Sequence, residues 1–213
     1  MLVLRSSVDR LEAGADIGLG DCPARAIYVV EGRLRLAAEG AAAKLGANDA
    51  WFAQGPTLLQ VAEPSVLIRW ELLPADRPGA AEAHAVSVLE RPIELAPDRR
   101  YLLRADRVDF PPKGVAYLHT HQGPGIRCLI KGGIRIDSEG HSLEVEPLGA
   151  WFESGPEPVF AAASDSADTA FVRVMVLPVE LLGKSSIRYV REEDRDKPKP
   201  QRYEVFIDQP LTL

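Results

Sequence analysis

Cysteine is scarce in this chain, two residues in 213. Cys22 and Cys128 are too few for the framework of a small disulfide-stapled secreted domain. They lie near the same place in the two halves of the chain. That symmetry fits small packing residues better than a bridge, and the expected compartment is cytoplasmic. Long apolar runs are missing, so no segment reads as a membrane span. The start, Met1-Leu2-Val3-Leu4-Arg5, lacks the charged region and apolar stretch of a signal peptide. Positive charge is in deficit, 25 Lys and Arg against 31 Asp and Glu. The net charge of −6 argues against nucleic acid as a partner. Neither half carries a convincing amphipathic helical period, which leaves an all-β reading. The hydrophobic fraction of 46% is ordinary for a globular chain.

What the chain has is itself, written twice. At an offset of 100, Val8-Asp9 meets Val108-Asp109, and Gly32, Arg35, Glu39 and Gly40 meet Gly132, Arg135, Glu139 and Gly140. Ala50-Trp51-Phe52 meets Ala150-Trp151-Phe152, and Gly55-Pro56 meets Gly155-Pro156. After a four-residue insertion, Arg69 and Leu73-Pro74 meet Arg173 and Leu177-Pro178. A repeat of this length is a domain, too long for a solenoid unit. Each copy alternates like β-structure with glycine turns: Ile27–Val30, Glu31-Gly32, Arg33–Leu36 in one, Cys128–Ile130, Lys131-Gly132, Gly133–Ile136 in the other. Further strands are expected at 51–52, 58–61, 66–73, 151–152, 159–162 and 170–177. Short strands at this spacing predict a sandwich or barrel. The segment Pro74 to Arg91 reads as a linker. Beyond Pro178 a tail has no counterpart in the first copy. Its charged run, Arg191 to Lys199, reads as solvated. Its end, Tyr203 to Ile207, reads as a strand that needs an edge to pair with, in its own chain or in a partner.

One feature breaks the symmetry. His119-Thr120-His121 falls opposite Leu19-Gly20-Asp21. Two histidines at i and i+2 of a strand face the same side, a geometry suited to a divalent metal. The competing reading is a vestigial pair in a barrel that has lost its metal. His84, in the linker, and His141, in a hairpin turn, read as surface residues.

The stretch Gly114 to Gly132 resembles the first motif of the cupin superfamily, G(X)5HXH(X)3,4E(X)6G, with one residue fewer before the first histidine. Gly149 to Phe160 follows the second motif, G(X)5PXG(X)2H(X)3N, more loosely. The resemblance spans residues 1–75 and 95–180. It implies an all-β bicupin, two tandem jelly-roll barrels: an N-terminal barrel over 1–75 without the metal motif, a linker over 76–94, a barrel with the HxH motif over 95–180, and a C-terminal arm over 181–213. In that family the two histidines, the motif-one glutamate and the motif-two histidine hold a metal inside the barrel. Here the glutamate position is Gly125 and the second histidine position is Phe160, so His119 and His121 remain as metal ligands. Iron, manganese, nickel and zinc all suit them. In the first copy Leu19, Asp21, Arg25 and Gln60 stand at the corresponding places, and no metal is expected there.

Arg127 shares the face of position 125 by strand alternation and aims into the barrel. A buried guanidinium needs an anion. Two partners fit: a substrate carboxylate or phosphate, or an acidic side chain such as Glu153 or Glu157. Tyr117 and Glu153 are the candidate acid/base residues, and Gln122 is a further substrate contact. Two functions follow from the resemblance. One is a metal-dependent cupin acting on a small anionic molecule, as a dioxygenase, isomerase or lyase. The other is a non-catalytic binding or sensing cupin with a degenerate metal site. Metal content separates them. The resemblance also implies a homodimer, with the tail as an arm reaching a second subunit.

Overall fold

The computed structural model describes residues 1–38, 40–76 and 84–212. Glu39 of the repeat and residues 77–83 of the expected linker lie outside the described residues. The chain divides into two units, Met1–Asp98 with the last residues from Leu211 on, and Arg99–Pro210. Every strand pairing is antiparallel, and the described helical structure is two short 3-10 turns, Val179–Leu181 and Glu192–Asp194. No described helix is long and apolar enough to cross a membrane.

The first unit contains β1 (Leu2–Leu11), β2 (Asp16–Leu19), β3 (Ala24–Ala38), β4 (Ala41–Gly46), β5 (Ala50–Ala53), β6 (Thr57–Pro74) and β7 (Ala85–Ile93). They join in the order β4-β3-β6-β1-β7, with β2 on β6 and β5 on β3. The second unit contains β8 (Tyr101–Phe110), β9 (Val115–His121), β10 (Gly125–Lys131), β11 (Ile134–Ser138), β12 (His141–Val145), β13 (Ala150–Glu153), β14 (Val159–Ala163), β15 (Thr169–Pro178), β16 (Ile187–Tyr189) and β17 (Arg202–Pro210). They form two sheets, β13-β10-β15-β8-β17 and β12-β11-β14-β9-β16. The strand orders correspond. β10 and β11 stand where β3 stands, and β14 and β15 where β6 stands. Each unit is a jelly roll, the all-β cupin architecture the sequence implied.

The expected hairpin at Glu31-Gly32 is not a hairpin. β3 runs through it, with register shifts around residues 29–34. Gly32 has φ +90°, and a Cβ there would come 2.3 Å from the Pro64 carbonyl oxygen. The glycine lets one strand bend and serve both halves of its sheet. The 58–61 and 66–73 runs are likewise one strand, β6.

The linker reading of 76–94 needs a larger correction. Residues 85–93 are strand β7, paired with β1 from Leu2↔Ile93 to Asp9↔Ala85. Its composition misled, because Ser87, Glu90, Arg91 and Pro92 interrupt the alternation and Ile93 alone of its nine residues is buried. The arm reading of 181–213 also changes. β17 lies on β8 of its own chain, from Arg202↔Asp109 to Pro210↔Leu102. β7 and β17 thus play the same part, each covering the outer edge of its unit's first strand. Among the described residues of the first unit, no strand corresponds to β16. β16 pairs with β9, Ile187↔His121 and Tyr189↔His119.

Each unit has its own apolar core. In the first, Leu11, Leu19, Ile27, Val29, Leu34, Leu36, Leu59 and Leu67 pack together. In the second, Val108, Phe110, Leu129, Ile134, Val159, Phe171 and Trp151 form the main cluster, with the Trp151 and Phe171 rings edge to face at 5.1 Å. Alternation along β8, β10 and β15 then leaves Arg104, Asp106, Arg127 and Arg173 on the inward face, beyond the apolar layer. All four are buried.

Candidate metal centre in the second unit

β9 delivers the two histidines to the interior. Its ladder with β14 is irregular between Ala116 and His119, so Ala116, His119 and His121 all point inward and Tyr117 does not follow them. The imidazoles meet edge to face, centroids 4.9 Å apart. Glu153, at the end of β13, completes the group. Single donor atoms of His119, His121 and Glu153 all lie within 4.8 Å of one another.

Glu153 arrives through the ladder. It is the direct cross-strand partner of Gly125, the position of the motif-one glutamate. A Cβ on residue 125 would meet the Val174 carbonyl oxygen at 2.5 Å and Met175 Cγ at 2.8 Å. No side chain fits on that strand, and the carboxylate comes from the neighbouring one instead. The other missing ligand is placed differently than the motif suggested. Phe160 lies between the core residues Val159 and Ala161, so alternation turns it away from the interior. Val159 stands opposite His119 in the register, an apolar residue at the inward place.

Supporting contacts fix each donor. His119 Nδ1 lies 2.7 Å from the Tyr117 carbonyl oxygen, which makes it the protonated nitrogen and leaves the Nε2 lone pair free. His121 Nδ1 lies 3.2 Å from Ser186 Oγ, and that hydroxyl is directed to Met175 Sδ at 3.9 Å. A hydroxyl that donates to sulfur accepts from the imidazole, so His121 also keeps its lone pair on Nε2. Glu153 Oε1 accepts from Trp151 Nε1 at 2.9 Å. Its Oε2 lies 3.4 Å from His121 Nε2 and 2.7 Å from Arg127 Nη2, the latter a charge contact without hydrogen-bond alignment. Burial lowers the pKa of His119 despite the nearby Glu153. Burial lowers that of His121 further, helped by Arg127, Arg173 and His119. Both rings are neutral near pH 7.

Arg127 is fully buried, and burial brings its pKa down to about 10 although Glu153 opposes the change. Nη1 donates to the Gly125 carbonyl at 2.8 Å. Of the two partners the sequence allowed, Glu153 is the one in contact. Three residues that sequence reasoning missed stand beside them: Arg173, Asp106 and Ser186. Arg173 donates to Asp106 through Nε at 2.6 Å and Nη2 at 3.2 Å, and its Nη1 lies 3.5 Å from His121 Nε2. The signal was present: Arg173 matches Arg69 in the repeat, and Asp106 shares parity with Val108. Ser186 left no signal, since it sits in a tail without a repeat partner. Tyr117 and Gln122 do not join the group. The Tyr117 ring lies against Lys197 Nζ at 5.0 Å, and Gln122 Oε1 accepts from Arg188.

These residues fit a divalent cation. Two neutral imidazoles present Nε2, and one carboxylate oxygen lacks an aligned donor among the described residues. The group adjoins a cavity of about 520 Å³ lined by Arg104, Asp106, Arg173, Ser186, Tyr189 and Tyr203 among others. His121 touches two of these residues, Arg173 and Ser186.

The first unit fills the same region with an ion-pair chain. Arg25 donates to Glu71 at 2.7 and 2.9 Å, Arg69 reaches Glu71 at 3.0 Å, and Arg69 holds Asp9 at 2.9 and 3.0 Å. Arg25 also donates to the Gly55 and Gly20 carbonyls and to Thr57 Oγ1.

No protein-family model matches the sequence, and no curated protein matches it significantly. Solved structures do. AerE from Microcystis aeruginosa is 14% identical with a TM-score of 0.61, over 83% of this chain and 88% of that one. Oxalate decarboxylase of Bacillus subtilis, an enzyme with Mn(II) centers, is 12% identical with a TM-score of 0.64, over 92% and 73%. A cupin 2 conserved barrel domain protein from Leptotrichia buccalis is 14% identical with a TM-score of 0.50, over 83% and 89%. At such identities the likeness is one of fold.

Proposed function

This chain is a bicupin by fold, and from that premise we propose that its second barrel holds a divalent metal on His119, His121 and Glu153 and takes a small anionic molecule in the adjoining cavity. The observation that carries the proposal is the convergence of the three donors within 4.8 Å, with His121 in contact with Arg173 and Ser186 of the cavity lining. Two imidazoles and a carboxylate suit iron, manganese, nickel or zinc. With three protein ligands, such an ion keeps open positions and supplies Lewis acidity toward a substrate oxygen.

The chain's own residues have separate tasks. The Tyr117 carbonyl and Ser186 hold the two rings in the tautomer that presents Nε2. Arg127 balances the charge of Glu153, and Trp151 orients its carboxylate. Asp106 fixes Arg173 so that its other edge faces the cavity. The four formal charges of Arg127, Arg173, Glu153 and Asp106 cancel. A bound dication therefore leaves the buried site positive, and an anionic ligand restores the balance.

The 2.7 Å contact of Arg127 with Glu153 favours a second reading. In it the carboxylate is the counter-ion of Arg127 and no metal ligand, as Glu71 is the counter-ion of Arg25 and Arg69 in the first unit, and the cavity binds its ligand without metal. Elemental analysis decides between them. Protein purified without chelator from metal-supplemented culture should carry one transition metal per chain, and the H119A/H121A variant none. Metal-free wild type, or equal metal in both, sinks the first reading.

A further inference from the structure

The cavity of the second unit has a polar inner end and apolar walls. Arg104 and Arg173 both line it, and Arg173 is the one that stands beside His121. Arg104 is engaged at every nitrogen: Nε and Nη2 on Asp208 at 3.0 and 2.9 Å, Nη2 also on the Leu181 carbonyl at 2.7 Å, and Nη1 on the Lys184 carbonyl at 2.6 Å. It builds the wall by tethering the loop that leads to β16. Arg173 uses Nε and Nη2 on Asp106. Its Nη1 carries two hydrogens and directs at most one to His121 Nε2, so another remains for an anion.

The walls are of a different kind. Ile187, Tyr189, Tyr203 and Val205 line the cavity. Tyr203 is 46% exposed and Val205 55%. Large apolar side chains left open in a concave surface mark a ligand contact. The Tyr203 ring lies under the Arg173 guanidinium, 5.9 Å from Cζ to centroid. On the other side Lys199 Nζ lies 4.7 Å from the Tyr189 ring centre. A volume of about 520 Å³ falls within the range of small-molecule sites. A two-carbon diacid would leave most of it empty.

We propose that the ligand is a monocarboxylic acid with a flat, ring-sized apolar body. Its carboxylate pairs with Arg173, its ring packs between Tyr203, Val205 and Ile187, and Tyr189 and Tyr203 determine specificity. The assignment rests on the reading of this cavity as the ligand site, and it stands apart from the identity or presence of the metal.

Calorimetric titration of the intact protein tests it with three probes: 3-phenylpropanoate, 3-phenylpropan-1-ol and oxalate. The expected order is binding of 3-phenylpropanoate, with the alcohol weaker by about tenfold or more for loss of the charged contact. Oxalate should bind more weakly still. Tyr203→Ala and Tyr189→Ala should each weaken 3-phenylpropanoate by about five- to tenfold. The unfolding temperature of each variant should stay near the wild-type value, because both rings are partly exposed. Oxalate binding as tightly as 3-phenylpropanoate, or 3-phenylpropanoate affinity unchanged in both variants, overturns the assignment. Metal content is measured on the same samples. Tight 3-phenylpropanoate binding by metal-free protein would support this assignment while defeating the metal reading. Metal-loaded protein that ignores 3-phenylpropanoate would defeat this assignment alone.

Discussion

At the scale of single residues, the second unit concentrates its risk in Glu153. Its carboxylate is the charge partner of a fully buried arginine and a candidate ligand at once. Removing one member of a buried ion pair costs about 3–5 kcal/mol. Glu153→Gln should therefore lower stability by roughly that amount in metal-free protein, measured by denaturant unfolding, and should also abolish metal uptake. Ser186 acts more narrowly. Its hydroxyl touches the remote nitrogen of His121 and the Met175 sulfur. Loss of such an outer contact typically weakens metal binding by about 10- to 100-fold. Ser186→Ala should do so with little change in unfolding temperature, as read by chelator competition. The buried histidines also give the metal-free protein a pH profile. Both have pKa values below their unfolded value, so the unfolded chain binds more protons as pH falls through about 6.5. Stability should decline from about pH 7 toward pH 5, and His121→Gln should flatten the decline in a melting-temperature series. Of these residues, the sequence showed His119 and His121 by spacing and Arg127 by alternation. Glu153 it named as a possible partner of Arg127 and a candidate acid/base but could not place, because a cross-strand register cannot be read from one strand's spacing.

At the scale of elements, alternation located most strands but mistook their ends. β3 and β6 looked like pairs of short strands because Gly32 and the 62–65 stretch interrupt their pattern, yet a bend is not a break. β7 was hidden by the charge and proline of an edge strand, Glu90, Arg91 and Pro92 among them. β17 was legible as a strand; its partner was not, since edge pairing depends on which edge the rest of the fold leaves open. The C-terminal elements hold the site as well as the sheet. β17 covers β8, and β16 lies beside the strand that bears both histidines. Truncation after Pro178 removes both and bares the β8 edge. The truncated protein should aggregate or elute as larger species in sizing chromatography. A soluble, metal-loaded truncation product would show that neither strand matters.

At the scale of the whole chain, the repeat predicted two units, and their cores are separate sets of residues. The second unit is one uninterrupted segment, Arg99–Pro210. Expressed alone, it should fold with a cooperative melting transition and take up metal, whereas residues 1–98 should not take up metal at the equivalent place. Calorimetry and elemental analysis of the two fragments check this. The two units also treat one rung of their ladders in opposite ways. In the second unit the rung is Gly125 and Glu153; in the first it is Arg25 and Ala53. Each rung has a long polar side chain on one strand and almost nothing on the other. The interior behaves like a socket with a single occupancy, and which strand supplies the occupant sets its sign. An arginine from the first strand locks the socket with its neighbour Glu71; a glutamate from the second stands with His119 and His121 as a candidate ligand group. A motif written as a string of letters records the first strand only, so a site rebuilt from the opposite strand looks like a lost one.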